Sequence, residues 1–143
     1  VLKTVRQIVA GTAVETDQAI IEPNQEFLPK APKIFRDDCR IDWNQPVVKV
    51  INLIRGLSPY PGAFTVLATE NGVSTDMKIF KAMPVSIPVE PRPGFVGVYE
   101  EKAIVAATLD GWIQIFTLQI PGRKVMDYQE FLRGYAHTLH KLK

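Results

Sequence analysis

Apolar side chains recur at every third or fourth position near the N-terminus. This spacing predicts an amphipathic helix that ends at Gly11. The apolar positions of the helix are Leu2, Val5, Ile8 and Val9. One amphipathic helix cannot bury its apolar face alone, so we expect it to pack against a partner. Because the chain has no initiator methionine and begins within this helix, we expect a fragment of a longer protein.

The same spacing returns at residues 47–57 and predicts a second helix. Its apolar stripe consists of Val47, Val50, Ile51, Ile54 and Leu57. Asn44 is expected to cap the helix, and Pro46 is tolerated because it falls in the first turn.

A corner with two prolines follows at residues 58–62, SPYPG, which we call the proline corner. Pro59 and Pro61 fix φ and lack backbone donors. Gly62 permits a turn that other residues resist. The corner therefore ends the helix and begins a different kind of segment.

Beyond the corner the apolar period changes to two, which predicts about five short strands. The strand segments are residues 63–69, 73–83, 95–100, 103–109 and 112–120. Glu70-Asn71-Gly72 and Asp110-Gly111 are signals of tight hairpins between them.

The last 18 residues, MDYQEFLRGYAHTLHKLK, are predicted to form one closing helix. Asp127 and Glu130 have the spacing of a capping box, and Met126 and Phe131 have that of a hydrophobic staple.

These elements predict a mainly β fold with flanking helices, an OB-like small β-barrel preceded by a helix and an extended linker. Residues 13–33 contain prolines and no clear period, so we expect them to join two domains. The barrel domain is then residues 34–143.

Composition limits the class of protein only moderately. The 143 residues are 46% apolar, with a net charge of +2 and a pI near 8.7, which describes a mildly basic globular chain. No apolar run is long enough to span a membrane, and the sequence contains no signal-peptide pattern. A single cysteine excludes an intrachain disulfide and favours a cytoplasmic setting.

The residues that could perform catalysis form no convincing active site. His137 and His140 have i,i+3 spacing, but no further ligand accompanies them, so no metal site is predicted. Cys39 lies beside Asp37-Asp38, which disfavours a thiolate nucleophile. Glu100-Glu101 is best interpreted as solvated surface charge. No glycine-rich phosphate loop is present.

A binding surface is the remaining possibility. Basic residues cluster along the linker, at the second strand and before the last helix: Lys30, Lys33, Arg36, Arg40, Lys78, Lys81, Arg123 and Lys124. Aromatic residues are interleaved with them: Phe35, Trp43, Tyr60, Phe80, Phe95, Tyr99 and Trp112. Small barrels bind nucleic acid through such groups, but the same pattern also fits aromatics that fill a barrel and charges that solvate it.

A series of short motifs resembles, in order, the C-terminal domain of the methionyl-tRNA formyltransferase family. The motifs are Ala31-Pro32-Lys33, Ile41-Asp42-Trp43, Ile54-Arg55, Pro59-x-Pro61-Gly62-Ala63, Lys78 with Ala82, Pro93-Gly94, Ala107-Thr108-x-Asp110-Gly111, Leu118-Gln119, Gly122-Arg123-Lys124 with Met126, and Phe131-Leu132. The resemblance covers about residues 31–132. Residues 1–12 resemble the last helix of the family's N-terminal formyltransferase domain, which is otherwise missing.

The resemblance implies a function that the residues alone do not. Family members transfer a formyl group from 10-formyltetrahydrofolate to the amino group of methionyl initiator tRNA. The catalytic Asn, His and Asp belong to the missing domain, so we expect no catalytic residue here and no activity from the fragment alone. The implied partners are initiator tRNA and the N-terminal catalytic domain, with a monomeric parent and no cofactor bound to this fragment.

The resemblance also assigns site residues. The eight basic residues given above become candidates for tRNA binding. A structural or interdomain role is implied for Arg55, Pro59, Tyr60, Pro61, Gly62 and Trp43. Arg55 is expected either to brace the proline corner or to face the folate domain, and bracing is favoured. Tyr60 stands where most members have tryptophan.

Two alternatives stay open. The same barrel type accompanies formyltransferases that act on sugar nucleotides and relatives that hydrolyse formyl-folate. The barrel could also be a purely structural support for its partner domain.

Overall fold

The computed structural model describes residues 1–17, 31–68, 74–135, 137 and 139–142. The chain divides into two units, Val1–Lys33 and Ile34–Lys143. In the first unit, helix α1 spans Leu2–Val9 and is followed by Gly11 at φ +66°, which confirms the predicted helix. Its apolar side chains are exposed. Most of the predicted linker and the turn Glu70-Asn71-Gly72 lie outside the described residues.

The described part of the second unit contains two α-helices and seven strands. The helices are α2 (Val47–Leu57) and α3 (Tyr128–Tyr135). The strands are β1 (Ala63–Ala68), β2 (Ser74–Val85), β3 (Val96–Tyr99), β4 (Ala103–Ala107), β5 (Trp112–Gln119), β6 (Met126–Asp127) and β7 (His140–Leu142). The predicted mainly β class with flanking helices is confirmed.

One curled sheet joins all seven strands in the order β1-β2-β5-β4-β3-β7, with β6 paired to β5. Every pairing is antiparallel except that of β3 with β7. This arrangement is consistent with a small β-barrel-like domain. No helix in the described ranges has both the length and the apolar character that a membrane span requires.

The sheet has apolar side chains on both faces where β4 crosses it. Ile104 and Ala106 join the main core with α2 and α3, whereas Val105 and Ala107 join a second cluster around Trp112. All four residues are fully buried. A strand buried on both faces is an unbroken apolar run, as the sequence of β4 is.

The predicted closing helix is wrong beyond Tyr135. Helix α3 ends there, and His140–Leu142 form β7 against Gly97–Tyr99 of β3. The unpaired edge of β3 offers backbone hydrogen-bond partners, and the buried Leu139 fixes the chain as it turns toward that edge. The start of α3 is as predicted, because Glu130 N donates to Asp127 Oδ1 over 2.8 Å.

The predicted cap of α2 is also wrong. The helix begins after Pro46, and Val47 N donates to Asp110 rather than to Asn44. Asp110 belongs to the loop of residues 108–111, which joins β4 to β5 as the Asp-Gly signal predicted. Asn44 instead belongs to a local turn, in which Asp42 Oδ1 accepts its backbone N–H over 2.9 Å.

Candidate nucleic-acid interface

Lys78 and Lys81 of β2 lie on the same, outer face of the sheet. Residues three apart on a regular strand point to opposite faces. The pairing of β2 with β5 shifts twice between Ile79 and Ala82, so that Lys78 is opposite Gln119 and Lys81 is opposite Thr117. Since positions 117 and 119 share a face, the irregularity brings both lysines to that face. Both lysines are exposed.

Arg123 and Lys124 lie next to this face in the loop between β5 and β6. The side-chain amide of Gln119 donates to Arg123 O over 2.8 Å, which holds the loop beside the strand partner of Lys78. The Arg123 guanidinium carbon lies 5.9 Å from the centroid of the Tyr135 ring. We call Lys78, Lys81, Arg123 and Lys124 the cationic strip. Within the described residues, no carboxylate lies within 4 Å of these four cationic groups.

Arg36 lies at the same surface, on the side of Lys78 that is away from Arg123. Its guanidinium forms an ion pair with Asp76 at 2.6 Å and lies 5.4 Å from the centroid of the Phe64 ring. Asp76 precedes Lys78 by two residues on β2, so both side chains share the outer face. The charge of Arg36 is therefore partly neutralised, in contrast to that of the cationic strip.

Hydrogen bonds with neighbouring residues hold the proline corner in place. Gly62 N donates to Leu57 O over 2.9 Å, and Lys78 Nζ donates to Pro61 O over 2.9 Å. The Ser58–Pro59 and Tyr60–Pro61 peptide bonds are both cis. Gly62 has φ +88°, and a Cβ there would lie 3.2 Å from the Phe80 ring, so this position favours glycine on both counts.

The remaining candidate cations are Lys30, Lys33 and Arg40. Lys30 is outside the described residues, and Lys33 belongs to the first unit. Arg40 lines a separate groove with Asp37, Asp42 and Pro93. The structure therefore groups Lys78, Lys81, Arg123 and Lys124, adds Arg36 at their edge, and leaves Arg40 apart.

The two structural or interdomain candidates outside the proline corner, Trp43 and Arg55, differ in burial. Trp43 is only 8% exposed, and its indole N–H donates to Thr65 Oγ1 over 2.9 Å, so it packs within the domain. Arg55 is exposed and donates to Asn52 Oδ1 over 3.1 Å on its own helix. Arg55 also lines a groove with Ser58, Phe80 and Lys81, which places it beside one end of the cationic strip.

The groups with catalytic potential stay dispersed in the described ranges. No set of three or more His, Cys, Asp or Glu side chains there could hold a metal ion. His137 follows α3 and His140 begins β7, so they do not share a helix. Cys39 is buried, and its thiol lies 3.4 Å from Phe35 O.

Hydrogen bonds shift the pKa values of three titratable groups. Bonds from the Gln45 side chain and the Asn44 backbone lower the pKa of Asp42. The bond from Lys141 lowers the pKa of Glu101 and ties β7 to the turn after β3. The bond with Glu100 raises the pKa of the Tyr99 hydroxyl. None of these groups lines the cationic strip.

Asp76 and Gln119 also belong to this surface, although neither was a candidate from the sequence. The period-two rule places Asp76 on the face of Lys78, so its acidic charge next to a candidate cation was a usable signal. Gln119 could not be found in this way, because its position opposite Lys78 depends on the register between β2 and β5.

The family model and the similar proteins indicate the same family for this chain. Residues 33–136 match the model of the formyl transferase C-terminal domain. Methionyl-tRNA formyltransferase from Bacteroides thetaiotaomicron is 41% identical over 94% of this chain, and that from Phocaeicola vulgatus is 38% identical over 94%. The chain spans 42% of the length of each of these relatives.

Solved structures show the same fold in more distant proteins. A variant of HypX from Aquifex aeolicus aligns over 99% of this chain and 25% of its own, with a TM-score of 0.60 and 20% identity. HypX in complex with tetrahydrofolic acid aligns over 79% of this chain and 20% of its own, with a TM-score of 0.50 and 20% identity. At this identity the likeness concerns the fold alone. On the family match, this chain belongs to the C-terminal domain family of formyl transferases.

Proposed function

We propose that this chain is the tRNA-binding C-terminal domain of a methionyl-tRNA formyltransferase. The parent enzyme would transfer a formyl group from 10-formyltetrahydrofolate to the amino group of methionyl initiator tRNA. The observation that supports this role best is the cationic strip, which is exposed and lacks carboxylate partners in the described ranges. The relatives named above are methionyl-tRNA formyltransferases, so we take tRNA as the polyanion that the strip binds.

The strip suits backbone recognition rather than base recognition. Lysine and arginine that contact phosphates give affinity that is independent of sequence and falls with salt. Discrimination of the initiator acceptor end would then belong to the N-terminal domain, together with the catalytic residues. This fragment would bind tRNA and be inactive alone.

The co-substrate and the partner domain follow from the same proposal. HypX is a solved relative in fold that binds tetrahydrofolic acid, which agrees with a folate co-substrate for the parent enzyme. The exposed apolar side chains of α1 suit packing against an N-terminal domain of a monomeric parent.

The test is binding of the 143-residue chain to initiator tRNA over a salt series. Each phosphate contact contributes a slope of about −0.9 to the plot of log affinity against log salt for duplex nucleic acid. We expect Lys81→Gln and Arg123→Gln each to reduce that slope by about 1. Lys49→Gln is the matched control, since Lys49 is exposed on α2, outside the strip.

A sugar nucleotide in the same assay separates the alternatives. Binding of the sugar nucleotide without tRNA binding would support a sister formyltransferase. Binding of neither at low salt would support the purely structural barrel. If Lys49→Gln lowered the slope as much as Lys81→Gln, the strip would not be the site.

A further inference from the structure

Tyr60 is an aromatic side chain displayed on a fixed backbone. The residue is 87% exposed and lies between two prolines. Hydrogen bonds to Leu57 O and Pro61 O tie the corner to α2 and β2. A rigid aromatic group loses little conformational entropy when a ligand packs on it.

A groove of about 450 Å³ lies beside Tyr60, and we call it the Tyr60 groove. Its aromatic lining comprises Tyr60, Phe35 and Phe64, and its cations are Lys78 and Arg36. Lys78 donates one N–H to Pro61 O, and its ammonium group has three donors, so two remain for a ligand. Arg36 is held by Asp76, which makes Lys78 the unneutralised charge of the groove.

We propose that the Tyr60 groove binds one unpaired nucleotide of an RNA strand. The base stacks on the Tyr60 ring, and the adjacent phosphate is bound by Lys78. Aromatic platforms combined with cations are the usual means by which proteins hold single-stranded nucleic acid. Lys78 belongs to both the groove and the cationic strip, so one strand can run from the groove along the strip.

The groove is a poor fit for an apolar protein segment. A buried segment would have to cover the Lys78 ammonium and the Arg36–Asp76 pair, and desolvating charged groups is costly. An anionic ligand with a flat apolar ring satisfies both the charge and the aromatic surface. The identity of that RNA as tRNA rests on the proposed function, but the groove itself can be tested without it.

The test uses the 143-residue chain and an eight-nucleotide single-stranded RNA that contains one 2-aminopurine, at low salt. Stacking on an aromatic residue is worth about 1–3 kcal/mol per base, so Tyr60→Ala should weaken binding about tenfold. The variant should also abolish the change in 2-aminopurine fluorescence, whereas Tyr60→Phe should retain both. Leu109→Ala is the matched control, because Leu109 is 54% exposed and its loop contacts the opposite end of α2.

The outcomes separate this proposal from the proposed function. No binding of the oligonucleotide at low salt, or equal affinity for wild type and Tyr60→Ala, would overturn the groove as an RNA site. A drop in thermal midpoint with unchanged affinity would assign Tyr60 to folding instead. If the oligonucleotide binds in a Tyr60-dependent manner while initiator tRNA does not bind, the groove stands and the tRNA assignment fails.

Discussion

The carboxylate of Asp110 caps helix α2 from 63 residues away, accepting the backbone N–H of Val47 over 2.7 Å. The same loop makes a second bond to the helix entrance, from Leu109 N to Gln45 O over 3.2 Å. Gly111 completes the junction, because a Cβ there would lie 3.1 Å from Val47 Cγ2. The Thr108-x-Asp110-Gly111 motif therefore has two roles. It forms the turn between β4 and β5, and it attaches the start of α2 to the sheet.

Removal of this cap should destabilise the domain measurably. Asp110→Ala leaves the first N–H of α2 without its side-chain acceptor, and we expect a loss of about 1 kcal/mol in the free energy of unfolding. Asp110→Asn keeps an acceptor and should lose clearly less. Urea unfolding of both variants measures the difference, and equal stability of Asp110→Ala and wild type would show that the cap contributes nothing.

Two glycine-to-alanine changes should have opposite signs. In Gly97→Ala the new Cβ would overlap the backbone oxygen of His140 and the Phe95 ring, so β7 must move away from β3. We expect a destabilisation of about 1–3 kcal/mol. Gly56→Ala places a Cβ in open space within α2 and should stabilise by up to about 1 kcal/mol. Denaturant midpoints that shift in the same direction would contradict this contrast.

In the turn between β3 and β4, Glu100 and Glu101 have positive φ angles, a backbone conformation that favours glycine. Glu100 has φ +49°, which costs an L-residue about 1–2 kcal/mol, whereas the extra backbone entropy of glycine costs about 0.5–1 kcal/mol. Glu100→Gly should therefore be more stable than Glu100→Ala by about 0.5 kcal/mol, since both variants lack the hydrogen bond of Glu100 with the Tyr99 hydroxyl. At Lys102 in the same turn, where φ is not left-handed, Lys102→Gly should instead be less stable than Lys102→Ala. Calorimetric midpoints of the two pairs of variants test the prediction.

The contribution of Asp42 should depend on pH. Hydrogen bonds from Gln45 and Asn44 lower its folded-state pKa below the ordinary value of 3.8. The bonded carboxylate thus stabilises the fold above that pH, and this stabilisation is lost as the pH falls through the folded-state pKa. The stability difference between wild type and Asp42→Asn should be largest near neutral pH and shrink on acidification. A difference that stays constant from pH 7 to about pH 2 would refute the assignment.

Asp76 should restrain RNA binding through Arg36. Asp76→Asn keeps a hydrogen-bond acceptor near the guanidinium but removes the charge that neutralises it. We expect the variant to bind initiator tRNA several-fold more tightly and with a salt slope steeper by about 1. Titrations at several salt concentrations measure both quantities. An unchanged slope would mean that Arg36 does not reach a phosphate.

Local patterns in the sequence determined most of the elements. Helices α1 and α2 and strands β1 to β5 form where the sequence patterns place them, because local periodicity and turn residues specify each element. The proline corner ends α2 since Pro59 and Pro61 cannot continue it. The Asp127 cap of α3 was also predictable, because both partners are three residues apart.

Tertiary structure decided what depends on residues far apart in the chain. The closing helix stops at Tyr135 because the edge of β3 competes for the backbone of His140–Leu142. Asp110 replaces Asn44 as the cap because the β4–β5 loop folds onto Gln45 and Val47. Lys78 and Lys81 share a face only because β2 and β5 pair with an irregular register. Sequence spacing fixes the face of a residue within one regular element, whereas the register between elements is set by the packing of the whole sheet.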